Sequence, residues 1–388
     1  MQASSTIAER TCGTGECGKS CSKREAETLY ADARRAMEIC NACRYCEGFC
    51  AVFPAMTTRR EFTKGDLNYL ANLCHNCRGC YYSCQYAPPH EFGINVPRLF
   101  SDVRAASYEA YAWPDAFAVA FRRNGTVLSI ATAIAIATVL ALVAHFADPG
   151  VLYAADGSPG AFYRVISWDA MVTVAGGVFA FSLVALAVGG VRFWRDTGGG
   201  SVRMPAPAVE AVSDVLTLRN LGGGGGGCND LNERYSNLRR GFHHLTFYGF
   251  MLCFAATSVA TIYDHAFGLI APYPFLSFPV QLGFWGGLGL VIGPAGLAWL
   301  KVVGDPEPAS RRVMGGDFAL LALLMLVSTT GLALLALRET PAMGILLAVH
   351  LGAVSSLFLF IPYSKMTHGL YRSLALFRAA IERRRNVV

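Results

Sequence analysis

The chain has 388 residues, 53% of them hydrophobic and 15% charged, a balance that argues for a protein lying largely in a membrane rather than a soluble globule. Its 33 basic and 27 acidic residues leave a formal charge of +6, but the excess sits beside apolar segments. No basic stripe interleaved with exposed aromatics supports nucleic-acid binding. The N-terminus, MQASSTIAERTCGTGECGKS, has no basic-then-apolar signal peptide, so the 13 cysteines point to metal binding rather than to an extracellular disulfide framework.

Residues 1–24 are polar and are expected to form a flexible extension carrying Cys12, Cys17 and Cys21. Gly13-x4-Gly18-Lys19-Ser20 matches the phosphate-loop string, but the buried strand that must precede such a loop is missing. The three cysteines lack a nearby fourth ligand for a cluster or zinc site of their own.

Residues 25–38 read as a mixed-charge helix that delivers the chain into Cys40-x2-Cys43-x2-Cys46-x3-Cys50, a run repeated as Cys74-x2-Cys77-x2-Cys80-x3-Cys84. Thiolates at this spacing are the ligand pattern of iron–sulfur clusters, and in two-cluster proteins the fourth cysteine of each run ligates the other cluster. One [4Fe–4S] cluster is therefore assigned to Cys40, Cys43, Cys46 and Cys84, and a second to Cys74, Cys77, Cys80 and Cys50. Zinc would favour two-cysteine pairs across a longer gap. The stretch between the runs looks helical, so residues 25–95 are expected to form an all-α ferredoxin module. His75 reads as a neighbour that tunes potential, and His90 as an ordinary loop residue.

Residues 96–125 carry Tyr108, Tyr111 and Trp113 ahead of Arg122 and Arg123, an aromatic and basic mixture expected at a membrane surface. Six apolar segments follow, at about 126–147, 170–191, 243–263, 280–300, 317–337 and 343–363, each near the ~20 residues that cross the hydrocarbon core. Basic residues crowd the first, third and fifth connections to these segments and the tail from Lys365 to Arg385. The opposite side has only Arg164 and Arg338. That asymmetry places both termini in the cytoplasm. Gly283, Gly287, Gly289 and Gly293 read as small-residue packing positions in the fourth span. The connection 195–241, with glycine at every position from Gly222 to Gly227, is expected to be a flexible loop or a partner contact. Residues 371–388 read as a basic tail that closes the domain 126–370.

Ionisable residues inside spans are functional candidates. His350 and His368 are 18 residues apart, about five helical turns and ~27 Å, so both would share a face if the helix runs unbroken. His243 and His265 flank the third span, ~33 Å apart, with His244 as the alternative to His243. The predicted topology pairs His243 or His244 with His368 near one face of the membrane and His265 with His350 near the other, an arrangement suited to one or two b-type haems. His145 reads as an interfacial anchor.

The motifs ICNACRYCEGFCAVFPAM at 39–56, LCHNCRGCYYSCQYAPPHEF at 73–92, RRGFHHLTFYGF opening the third span, and LAVHLGAV with YSKMTHGLYR around the sixth resemble the tricarballylate (citrate) utilization protein B family of bacterial membrane proteins, over about residues 30–385. The cluster module alone is also similar to those of heterodisulfide and succinate:quinone reductases. The resemblance implies an electron-transfer subunit in the bacterial inner membrane that reoxidises a separate FAD-dependent tricarballylate dehydrogenase and delivers electrons to membrane quinone. The expected fold is all-α, a cytoplasmic two-cluster ferredoxin module followed by a six-helix cytochrome-b-like bundle in the lipid bilayer. Two other classes are a heterodisulfide-reductase-like subunit acting on disulfides, and a redox sensor or assembly protein without turnover.

Overall fold

A computed structural model describes residues 16–123, 125–199 and 205–385. Cys12 lies outside these residues, as do the side chains of Cys17 and Cys21. The first helix, α1 (Glu16–Cys43), already begins within the expected extension and runs straight into the first cysteine run. It is followed by α2 (Val52–Thr57), α3 (Lys64–Leu73) and α4 (Val96–Tyr111). Thr63 starts α3 with a capping box, accepting from the Asp66 N–H at 3.1 Å while Asp66 accepts from the Thr63 N–H at 3.2 Å. Two orphan donors at the helix start are satisfied in this way.

These helices share one core, in which Met37, Met56, Leu67, Leu70, Phe100 and Val103 are buried. Each such side chain stabilises the module by about 1.5–3 kcal/mol through apolar area withdrawn from water. Helix α4 belongs to this core: Tyr108 and Tyr111 are 6% and 5% exposed, so they pack the module instead of anchoring at headgroups as their composition suggests. The contact pattern of α4 overrides its aromatic-basic signature.

Among the described residues, six helices are long and apolar enough to cross a membrane: Thr126–Phe146, Trp168–Asp196, Leu238–Phe267, Phe278–Val303, Arg311–Leu337 and Met343–Tyr363. They contain the six apolar segments read from the sequence. The third and fourth pack at backbone contact. A Cβ at Gly286 would lie 2.8 Å from the Gly249 carbonyl oxygen, and one at Gly289 would lie 2.9 Å from that of Leu245. Only glycine permits that approach. Gly287 instead faces Leu332 of the fifth helix.

The sixth apolar helix does not continue to His368. Its regular α-turns end at Phe360, two 3-10 turns with Pro362 follow, and a new helix, α5 (His368–Arg385), starts at the histidine. The unbroken five-turn register between His350 and His368 is thereby lost, because proline removes a donor and interrupts the ladder. Helix α5 is also more than a tail. Tyr371, Ala375, Leu376 and Ala379 are buried in the module core, and Glu382 accepts from Arg59 at 2.7 Å and from Tyr69 Oη at 3.0 Å. Asn68 ties the second apolar helix to the same core: it accepts from Tyr30 Oη at 2.7 Å and donates to Asp196 at 3.0 Å.

The connection 195–241 is folded where it is described. A helix, Pro205–Leu216, packs on α5, with Glu210 accepting from Arg383 at 2.7 Å. The glycine run then turns back onto the cysteine loops, and Cys228 and Ser236 pair through reciprocal 2.8 Å backbone hydrogen bonds.

Candidate metal centres

The eight cysteines of the two runs gather in one region, where nearest neighbours sort most of them into two groups. Cys40 and Cys43 end α1, and with Cys46, Cys84 and also Cys80 they line a cavity of about 300 Å³. Burial, and after it the neighbouring Cys84, Cys46 and Cys43, push the Cys40 thiol up to about 12. Cys46 is pushed up to about 11 by burial and then by Cys84, Cys43 and Cys77. In the other group, burial raises Cys50 well above the usual thiol range, followed by Cys77 and Cys74. Cys80 is raised by burial and then by Cys77, Cys50 and Cys74, with Cys46 of the first group adding to them. The fourth cysteine of each run thus lies beside the other run.

Sulfurs gathered this way repel one another as thiolates, and bound cations relieve that repulsion. Among the described residues no three His, Cys, Asp or Glu side chains close on one point as a single metal ion requires. The N–H groups of Val52 and Phe53 at the start of α2 donate to Cys50, those of Tyr86 and Ala87 to Cys84, and that of Gly79 to Cys77. Such N–H···S bonds tune cluster potential. Asn76 and Arg78, on either side of Cys77, take φ of 58° and 66°. This left-handed backbone is unusual for non-glycine residues and concentrates at functional sites.

A second cavity, of about 430 Å³, lies between Phe49, Cys77, Gly79, Tyr235 and the glycine run. The run covers this face of the second group: the Asn229 N–H donates to the Cys77 carbonyl at 2.8 Å, and a Cβ at Gly224 would lie 3.0 Å from the Phe49 carbonyl oxygen. Composition alone reads these glycines as a flexible loop. Their packed role depends on contacts made across the fold.

The histidines differ sharply in setting. His243 and His368 face each other with ring centroids 6.0 Å apart and planes at 81°. Two metal–imidazole bonds of about 2 Å each, plus the depth of each ring, give a similar separation. His368 donates through Nδ1 to the Lys365 carbonyl, leaving its other nitrogen free, and His243 Nδ1 is buried without a partner. Of the thirty residues in the third apolar helix, Gly249 alone is buried among the described residues. These features fit a haem.

His244 stacks on Tyr248 with planes 2° apart. His265 is exposed, packs on Trp168 at 5.1 Å and has Nδ1 3.0 Å from the Thr261 carbonyl. His350 lies against the fifth apolar helix, with Nδ1 3.0 Å from Thr330 Oγ1 and the ring 2.9 Å from where a Cβ on Gly331 would stand. The structure brings His243 to His368 and leaves His265 and His350 with other neighbours.

Arginines join the thiol and imidazole sites. Arg239, one turn before His243, donates to the carbonyls of Asn76 at 2.7 Å and His75 at 2.9 Å. Arg372, one turn after His368, donates to the Cys74 carbonyl at 3.0 Å, and Arg104 donates to it at 2.8 Å. Burial followed by Arg372 lowers the His75 imidazole well below its usual range, and its Nδ1 lies 2.7 Å from the Leu73 carbonyl. The sequence reading missed these arginines. For two of them the signal was present: Arg239 and Arg372 each stand four residues from a histidine, which is one turn along the same helical face.

The family model described as citrate utilization protein B matches residues 121–388, and the one described as its Fer4-like domain matches residues 33–110. A citrate utilization protein B of Escherichia coli is 49% identical over 356 residues, covering 92% of this chain and 93% of that protein. No solved structure matches.

Proposed function

Because the chain belongs to the citrate utilization protein B family, we propose that it serves citrate or tricarballylate utilization by taking electrons from the reduced flavin of a partner dehydrogenase and delivering them to membrane quinone. Cys40, Cys43, Cys46 and Cys84 would hold one [4Fe–4S] cluster, and Cys50, Cys74, Cys77 and Cys80 another. His243 and His368 would hold a b-type haem. Bound iron centres supply one-electron steps, while the protein sets position and potential.

The observation that carries this reading is the direct hydrogen bonding of the second cysteine loop to both histidine helices through Arg239 and Arg372. The guanidinium groups hold the loop against the imidazoles and place positive charge where electrons arrive. The glycine run packs over the Cys77 side of the second loop. At the rim of the first cavity, Tyr45 is 68% exposed, which gives a flavoprotein an aromatic foothold beside the outer cysteine group. With this module in the cytoplasm, as the basic residues favour, the partner docks there. In this reading the dehydrogenase step belongs to the partner.

Purified chain, reduced partner flavoprotein and a short-chain quinone test the proposal together. The expected result is reoxidation of the flavin that needs both the chain and the quinone. Equal reoxidation with the chain omitted would overturn it.

A further inference from the structure

A small cleft lies where α4, α5 and the ends of the first, fifth and sixth apolar helices meet. Its volume is about 80 Å³, and Tyr108, Phe121, Leu128, Tyr363, His368 and Arg372 are among its lining. Two buried donors there have no partner, Tyr108 Oη and Arg372 Nε. Tyr108 is 6% exposed, and its ring is fixed by stacking on Tyr371 at 5.2 Å. A buried donor without an acceptor costs about 1–3 kcal/mol, so a ligand bearing an acceptor oxygen would recover that cost.

We propose that this cleft binds the carbonyl edge of a membrane quinone's head group, with Tyr108 Oη and Arg372 Nε as donors to one carbonyl oxygen; the inference rests on the electron-transfer reading above. The cleft is far smaller than the ~300 Å³ or more that encloses a drug-sized ligand. It takes the carbonyl edge of one ring and excludes a porphyrin. Phe121 and Leu128 carry the lining to the start of the first apolar helix, the side from which an isoprenoid tail would enter.

The other ligand with acceptor oxygens is a tricarboxylate, and size disfavours it. The lining carries Arg104, Arg312, Lys365 and Arg372 beside Asp317 and Glu109, so charge alone would admit an anion. Lys365 is already paired with Asp317, which Lys301 shares, both at 2.5 Å. Arg104 is spent on the carbonyls of Ala71 and Cys74 and on Ser101 Oγ. A cleft of about 80 Å³ with two unpartnered donors suits one carbonyl edge better than three carboxylates.

Electron supply is adjacent. Arg372 also holds the Cys74 carbonyl, and His368 lines the cleft. Reduction of the bound quinone to quinol consumes two electrons and two protons. The electrons come one at a time from the partner's reduced flavin, which is oxidised, and the protons come from water on the module side.

The test titrates a fluorescent hydroxyquinoline N-oxide, a quinone analogue, into the full cofactor-loaded chain and follows its quenching. Wild type should saturate, and excess tricarballylate should leave the curve unchanged. Tyr108→Phe, which keeps the stacked ring, should weaken binding about three- to tenfold, the worth of one hydrogen bond. Ala105→Trp should fill the cleft and abolish binding; iron absorption in each variant reports that the chain is folded, and Tyr108→Phe decides the matter if the larger change fails to fold. Wild-type binding in Tyr108→Phe, no saturable binding in wild type, or displacement by tricarballylate would each overturn the site. Reduction of the wild-type iron centres by the partner's flavin is recorded in parallel. Its failure would overturn the electron-transfer reading, while the titration alone judges the cleft.

Discussion

The two ends of the third apolar helix carry the same side chain in opposite settings. At the module end, His243 faces His368 at 6.0 Å, and Arg239 one turn away grips the second cysteine loop. At the far end, His265 is exposed, rests on Trp168 and has Nδ1 3.0 Å from the Thr261 carbonyl of its own helix. An imidazole in an apolar segment is thus a weak signal by itself. What separates a candidate ligand from a helix-end anchor is a facing imidazole and a connection to a source of electrons.

The largest effect that could break this comparison is loss of haem. His243→Ala or His368→Ala should remove the b-type bands from the reduced-minus-oxidised spectrum of purified chain, whereas His265→Ala should keep them. Bands that survive both module-end changes, or vanish with His265→Ala, would reverse the assignment of the two ends.

The crossed grouping of the cysteines comes next. Cys50→Ser should abolish the same paramagnetic iron–sulfur signal as Cys77→Ser, although Cys50 lies in the first run, and Cys84→Ser should match Cys43→Ser. Pairing by run instead would mean that Cys50 and Cys84 do not cross.

A smaller change tests the join. Arg239→Gln removes two charge-assisted hydrogen bonds to the second loop, each worth about 1.5–3 kcal/mol. Haem bands should persist, while the potential of the second iron–sulfur signal should fall as a nearby positive charge is lost. An unchanged potential would separate the loop from the His243 helix. The smallest effect serves as a control. Thr63→Ala deletes the α3 cap at about 1 kcal/mol of stability; it should lower the denaturation midpoint of the module and leave the haem bands intact. Lost bands here would show that they report stability rather than ligation.

Much of this organisation is legible along the chain. The cysteine spacing and the six apolar segments are one-dimensional signals, and the all-helical fold follows from them. The break after Phe360 is also written locally, in Pro362, yet a periodicity argument carried across it joins His350 to His368 wrongly. Other features depend on distant contacts. That Tyr108 and Tyr371 stack inside one core, that the stretch after His368 packs against Arg59 and Tyr69, and that the glycine run seats on Cys77 cannot be read from composition, because each relies on a partner far along the sequence.

The central claim is that electrons reach the His243–His368 pair through the second cysteine group. Mixing the chain with reduced partner flavoprotein in a stopped-flow instrument, and following the haem band in wild type and Cys77→Ser, tests it directly. The account predicts rapid haem reduction in wild type and a loss of at least tenfold in rate in Cys77→Ser with haem content unchanged. Equal rates in the two proteins would contradict it.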